Sequence, residues 1–268
     1  MGLIRGCLSN VLSRVLAVGL IGLFANGCAP DVPESQKKEV VKECNLPSDQ
    51  SGTLEGRWKI TPVPIAIKSG HFQQDEIEDI VKAADIWNAF YKETAGTDVI
   101  DYGGDKANPR QTSAVKPAVV CSQGILQGTQ FTGQVVIFKQ GTWPYQNHQA
   151  IALTTYCPTP AKPLSNIFNA VMEINYQDFF VEGKKLPDLT SIFVHEFGHM
   201  LGLEHSCDAK GKTGYPNCSD AGMPQDYFYA VMFPIIPFDV NGVGEERRAL
   251  NNNDQGRGNC LYGPNALK

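Results

Sequence analysis

Apolar positions change their spacing along this chain, and the changes mark out its elements. From Asp75 to Tyr91, the residues Ile77, Ile80, Val81, Ala84, Trp87 and Tyr91 recur at intervals of three and four. That period predicts an amphipathic helix whose single apolar stripe packs on a core. Arg57 to Ile67 alternates and is rich in β-branched residues, which predicts a strand; Pro62 and Pro64 place it at an edge or a bulge. Val115–Cys121, Gly133–Lys139, Ala150–Tyr156 and Asn169–Tyr176 read as further short strands. Leu189–Leu203 is the second strong helical stretch, and beyond it Gly, Pro and Asn punctuate a loop-rich region. Strand, helix, strands, helix and loops, in that order, fit an α+β domain in two unequal halves. Trp58, Trp87 and Trp143 read as packing residues.

The N-terminus follows a different rule. Arg5 and Arg14 precede the apolar run Val15–Phe24, which is too short to cross a bilayer and has the form of an export signal. It ends in Ala25-Asn26-Gly27-Cys28, which resembles a bacterial lipobox. The resemblance implies cleavage before Cys28 and acylation of its thiol, anchoring the chain to a membrane leaflet without spanning it. The alternative is an ordinary signal peptide cut nearby. Residues 29–52 carry few large apolar side chains and read as a tether. The expected organisation is therefore a signal over 1–27, a tether over 28–56 and one catalytic domain over 57–268.

Charge and cysteine content agree with export. The formal net charge is −5, and losing Arg5 and Arg14 with the signal makes it more negative. That disfavours nucleic acid as a partner, since phosphate binding wants a basic face. Six cysteines remain after Cys7 and Cys28 are set aside, and an even number in an exported chain suggests three disulfides. Cys207–Cys218 closes the shortest loop. Cys121–Cys157 and Cys44–Cys260 are the favoured remaining pairs, with free buried thiols as the alternative.

The candidate chemistry lies in one window, His195-Glu196-Phe197-Gly198-His199-Met200-Leu201-Gly202-Leu203-Glu204-His205. Two histidines four apart on a helix project from one face, the spacing that brings two imidazoles to one zinc ion. Gly202 suits a helix-ending turn with positive φ, after which His205 can come round as a third ligand. Three protein ligands leave one coordination position open, as in catalytic rather than structural zinc sites. Glu196, beside the first ligand, is the candidate general base.

This window resembles the metzincin metallopeptidases, and within them the matrixins. Leu203-Glu204-His205-Ser206 is similar to the matrixin ending, and Ala230-Val231-Met232-Phe233-Pro234 to the methionine turn. Leu250–Asp254 followed by Leu261-Tyr262-Gly263 is similar to the family's C-terminal helix, with Asp254 at the second of two family acids and Asn253 replacing the first. The resemblance implies a twisted mixed β-sheet with two main helices in an upper subdomain, and a smaller loop-rich lower subdomain with a C-terminal helix. It assigns Met232 to a floor under the histidines. It also implies a substrate lying extended along an edge strand near 169–176, with a cleft formed by Ala170, Met172, Val194 or Phe197, Phe233 and Pro234. Ile236 stands where many matrixins carry Tyr. No Pro-Arg-Cys-Gly switch precedes the domain, and His71 and His148 are too few for a second zinc site of the matrixin kind.

The implied activity is zinc-dependent endopeptidase cleavage of extracellular or periplasmic proteins by an exported, membrane-anchored monomer holding one catalytic zinc. The loop acids Asp178, Glu182 and Asp208 make calcium a further candidate ion. A non-catalytic zinc-binding surface lipoprotein on a peptidase scaffold is the competing expectation, and a metallohydrolase of non-peptide substrates is a second.

Overall fold

A computed structural model describes residues 39–115 and 134–267. The signal, Cys28, Cys121 and nearly all of the strand expected over 115–121 lie outside the described residues. The described strands and helices are β1 (Gly56–Trp58), β2 (Val63–Lys68), α1 (Gln74–Ala95), β3 (Ile100–Asp101), β4 (Gln111–Thr112), β5 (Val135–Gln140), β6 (Ala152–Thr159), β7 (Ser165–Asn175), α2 (Leu189–Leu201), α3 (Gln225–Phe228) and α4 (Asn252–Tyr262).

The seven strands form one sheet, in which β7 pairs β1 and β5, β5 pairs β2, and β2 pairs β3 and β4, all parallel. β6 runs antiparallel along the other side of β7 and, among the described strands, ends the sheet. The sheet is therefore mixed, with an antiparallel edge strand added to a parallel body, an arrangement common in α+β folds.

The stripe of α1 is buried as its period predicted: Ile77, Ile80, Val81, Ala84, Trp87 and Tyr91 all lie in the interior. Glu76 accepts the Gln73 backbone N–H at the start of α1, and Gly96 ends it with φ 73°. α2 starts where the Asp188 carboxylate accepts the Ser191 N–H. α1 and α2 share one core with Ile65 and Ile67 of β2, Ile137 of β5, and Ala170, Met172 and Ile174 of β7. Val136, Phe138, Val171 and Cys157 form a second cluster on the opposite face.

Two expectations need correction. The single strand over 57–67 is two strands with different neighbours, β1 on β7 and β2 on β5, separated by residues 59–62. The tether expected to reach residue 56 belongs, from Glu39 onward, to the folded unit. Val41 N–H donates to Gln255 Oε1 (2.8 Å), Asn45 N–H to the Gly256 carbonyl (3.0 Å), and Cys44 is disulfide-bonded to Cys260. Val40 and Leu46 also pack against the core, but most of what holds the strap is hydrogen bonds and a disulfide, which hydrophobic pattern does not register. Cys207–Cys218 is the other disulfide whose two partners are both described; Cys157 is disulfide-bonded.

The Cys44–Cys260 bond spans 216 residues. A crosslink closing so long a loop restricts the unfolded chain strongly. The double variant Cys44→Ser/Cys260→Ser is expected to melt lower, by on the order of 10 °C. A calorimetric scan showing no shift would mean that hydrogen bonds and the packing of Val40 and Leu46 hold the strap without the disulfide.

Candidate metal centre and substrate cleft

The helix α2 that carries the window is fixed from several sides. Trp87 Nε1 donates to the Val194 carbonyl (2.8 Å), Trp58 Nε1 to the Met200 carbonyl (2.7 Å), and Tyr262 OH to the Leu201 carbonyl (2.8 Å). Thr190 Oγ1 donates to Asp79 of α1 (2.6 Å). α2 then stops at Gly202, whose φ is 108° and whose N–H bonds back into the last turn. A Cβ there would stand 1.9 Å from the Gly56 carbonyl oxygen, so only glycine lets β1 approach the turn.

The turn carries His205 back towards the helix. The ring centroids of His195 and His199 are 4.7 Å apart, those of His195 and His205 5.2 Å, and those of His199 and His205 4.7 Å. One ring nitrogen from each lies within 4.8 Å of those of the other two. His195 Nδ1 is 2.7 Å from the Val231 carbonyl and His199 Nδ1 is 2.8 Å from the Leu203 carbonyl. A carbonyl can only accept, so each Nδ1 carries the hydrogen and each Nε2 keeps its lone pair for a metal. Burial lowers the affinity of all three rings for protons, with His195 pushed down to about 3 and His199 to about 4. For His195, the neighbouring His199 and the Arg247 and Arg257 charges add to burial. Three converging neutral imidazoles fit a zinc ion.

Glu196 is buried beside His195, and its Oε2 accepts a hydrogen bond from Thr154 Oγ1 of β6 (2.6 Å). Burial pushes its carboxyl up to about 7, against the opposing pull of the Thr154 hydrogen bond. Tyr156, two residues further along β6, donates its hydroxyl to Glu204, the residue before His205.

Met232 lies fully buried under the helix. A Cβ on Gly198 would fall 2.2 Å from its sulfur, which explains the bare position inside the histidine window. The methionine turn is held from α4. Asp254 accepts the Val231 N–H (2.8 Å) and the Met232 N–H (3.2 Å), and also the Asn251 N–H that begins α4 (3.1 Å). Below it, buried Arg257 donates to the Glu204 carbonyl (2.9 Å) and faces Asp254 at 3.8 Å. The strap completes the frame. Gln50 Nε2 donates to the Ser206 carbonyl (2.7 Å), Asn253 Nδ2 donates to Gln50 Oε1 (2.6 Å), and the Glu204 N–H donates to the Thr53 carbonyl (2.9 Å).

A cleft of about 1590 Å³ passes the histidines, larger than a drug-sized pocket. It is lined by residues 152–156 of β6, by Phe233, Pro234, Ile235 and Ile236, and by Ile192 of α2. The expected edge strand near 169–176 is instead β7, the interior neighbour of β6. Ala170 and Met172 are accordingly fully buried and offer the cleft no surface. Val194 and Phe197 are also fully buried, and the helical wall residue is Ile192. Of the expected cleft residues, Phe233 and Pro234 do line it.

The remaining candidates are tied up elsewhere. His148 Nδ1 meets Asp178 (2.8 Å) at the cleft rim, and His71 Nδ1 accepts the Lys139 N–H (3.2 Å). Asp178 also accepts from Asn175, and Asp208 caps the N–H groups of Lys210 and Lys212. Among the described residues, the three histidines are the one His, Cys, Asp and Glu cluster with metal-binding geometry. Thr154, Gln50 and Arg257 gave no signal in the sequence, because each reaches the window from far along the chain.

A family model described as Matrixin matches residues 71–219, more than half of the chain. Met232 and Asp254 lie beyond the matched span. No curated protein matches the chain.

Proposed function

The chain belongs to the matrixin family, and we propose on that premise that it is a zinc-dependent endopeptidase using His195, His199 and His205 as ligands and Glu196 as general base. The observation that supports this most directly is the convergence of three imidazole nitrogens within 4.8 Å, beside a buried carboxylate and an open cleft.

Zinc held by these residues supplies Lewis-acid chemistry, polarising a scissile carbonyl and making water a stronger acid. The side chains do the rest. β6 lines the cleft and, among the described strands, pairs β7 alone, so its other side can offer backbone groups to an extended peptide and fix the scissile bond over the histidines. Glu196 receives the proton of the attacking water and passes it to the departing amine nitrogen as the C–N bond breaks. The apolar wall of Ile192, Phe233 and Ile236 favours substrates with an apolar side chain next to the cleavage point.

The cellular setting is part of the same reading. Cleavage of an export signal before Cys28 and acylation of the Cys28 thiol would anchor the domain, as a monomer, on the periplasmic or surface side of a bacterial membrane. Two disulfides in the described fold suit that oxidising compartment. Among the described residues no helix is long and apolar enough to cross a membrane.

Metal removal tests the activity. The purified protein should contain one zinc per chain and cleave casein. A chelator should abolish cleavage, and added zinc should restore it. One zinc without any proteolysis would favour the non-catalytic zinc lipoprotein.

A further inference from the structure

We propose that Thr154 is a positioning residue of this reaction, its hydroxyl fixing the Glu196 carboxylate in the orientation from which it takes a proton; the inference rests on the peptidase reading above. A threonine hydroxyl has one hydrogen to give. Thr154 Oγ1 stands 2.6 Å from Glu196 Oε2 and 3.4 Å from the Glu196 carbonyl, so the hydrogen goes to the carboxylate. The terminal torsion of a glutamate is broad, and an unpinned carboxylate would sample many orientations. With Oε2 engaged, Oε1 is the oxygen left for the proton of the attacking water.

The donor itself is held. Thr154 sits inside the antiparallel β6–β7 ladder, opposite Met172, and its branched side chain has few rotamers on a strand. Strand alternation places Thr154 and Tyr156 on the same face. Thr154 reaches the acid next to His195, and Tyr156 reaches the acid next to His205. One strand therefore spans the metal centre with two hydroxyl donors while its residues also line the cleft. A peptide that docks on β6 docks on the element that aims the base, so binding and base orientation share one rigid part.

The test compares Thr154→Val, which keeps the shape without the hydroxyl, with Thr154→Ser, which keeps the hydroxyl. Both are measured with a peptide substrate after zinc loading. Thr154→Val should lose about 10- to 100-fold in kcat with KM within about threefold of wild type, a part of the full worth of a general base. Thr154→Ser should stay within about threefold of wild-type kcat, and all three proteins should hold one zinc per chain. Wild-type kcat in zinc-loaded Thr154→Val would overturn the proposal, as would equal losses in the two variants, which would point to packing, or a loss that follows zinc content. A zinc-loaded wild type without activity would remove the peptidase reading and this inference together, whereas an active wild type alongside an unimpaired Thr154→Val removes this inference alone.

Discussion

Glu196→Gln is expected to retain one zinc per chain and to lose about 10²- to 10⁴-fold in kcat on casein or a peptide. Glutamine keeps the size of the side chain and an oxygen that can accept the Thr154 hydroxyl, so the pocket stays filled and bonded. What it lacks is a basic oxygen, and without one the attacking water has no residue to take its proton. The zinc should remain, because the three imidazoles bind through nitrogens that their Nδ1 hydrogen bonds set independently of Glu196. Zinc analysis beside the kinetics separates the cases. A variant with full activity would show that the base is elsewhere, and one that loses zinc as well would show that Glu196 supports the metal rather than the proton transfer.

Asp254→Ala is expected to be the most destabilising single change near the site. It removes the acceptor for the Val231 and Met232 N–H groups and for the cap of α4. It also leaves the Arg257 guanidinium fully buried without its carboxylate. Breaking a buried pair by deleting one partner costs about 3–5 kcal/mol. In a domain of this size that corresponds to a fall in melting temperature of roughly 6–20 °C. Zinc affinity should fall with it, since the Val231 carbonyl that orients His195 belongs to the turn that Asp254 holds. A melting temperature within two or three degrees of wild type would show that the pair contributes nothing net.

The parts of this molecule that were legible in its sequence are those governed by local period. His195 and His199 share a helix face because they lie four apart, and the stripe of α1 was readable for the same reason. The methionine turn and the C-terminal helix became visible through resemblance, since nothing in Val231-Met232 alone points to a metal. The cleft was read less well. Asn169–Tyr176 is the more apolar run and looks like the important strand, but a strand so apolar is buried on both faces. Among the described strands the less apolar β6 is the one left at the edge. Val194 failed as a wall for a helical reason. α2 is buried nearly all round, so its composition does not say which side meets the cleft, whereas Ile192, three residues before His195, is on the histidine face. Thr154 reaches Glu196 from 42 residues away, and no local pattern announces such a contact.

The bond between Cys44 and Cys260 has a consequence for a peptidase that meets other copies of itself. A single cut anywhere between those residues opens the backbone but leaves both pieces covalently joined, with the histidine window and the methionine turn still in one molecule. Self-digestion should then go unnoticed on a non-reducing gel, and only thiol treatment would separate the nicked fragments.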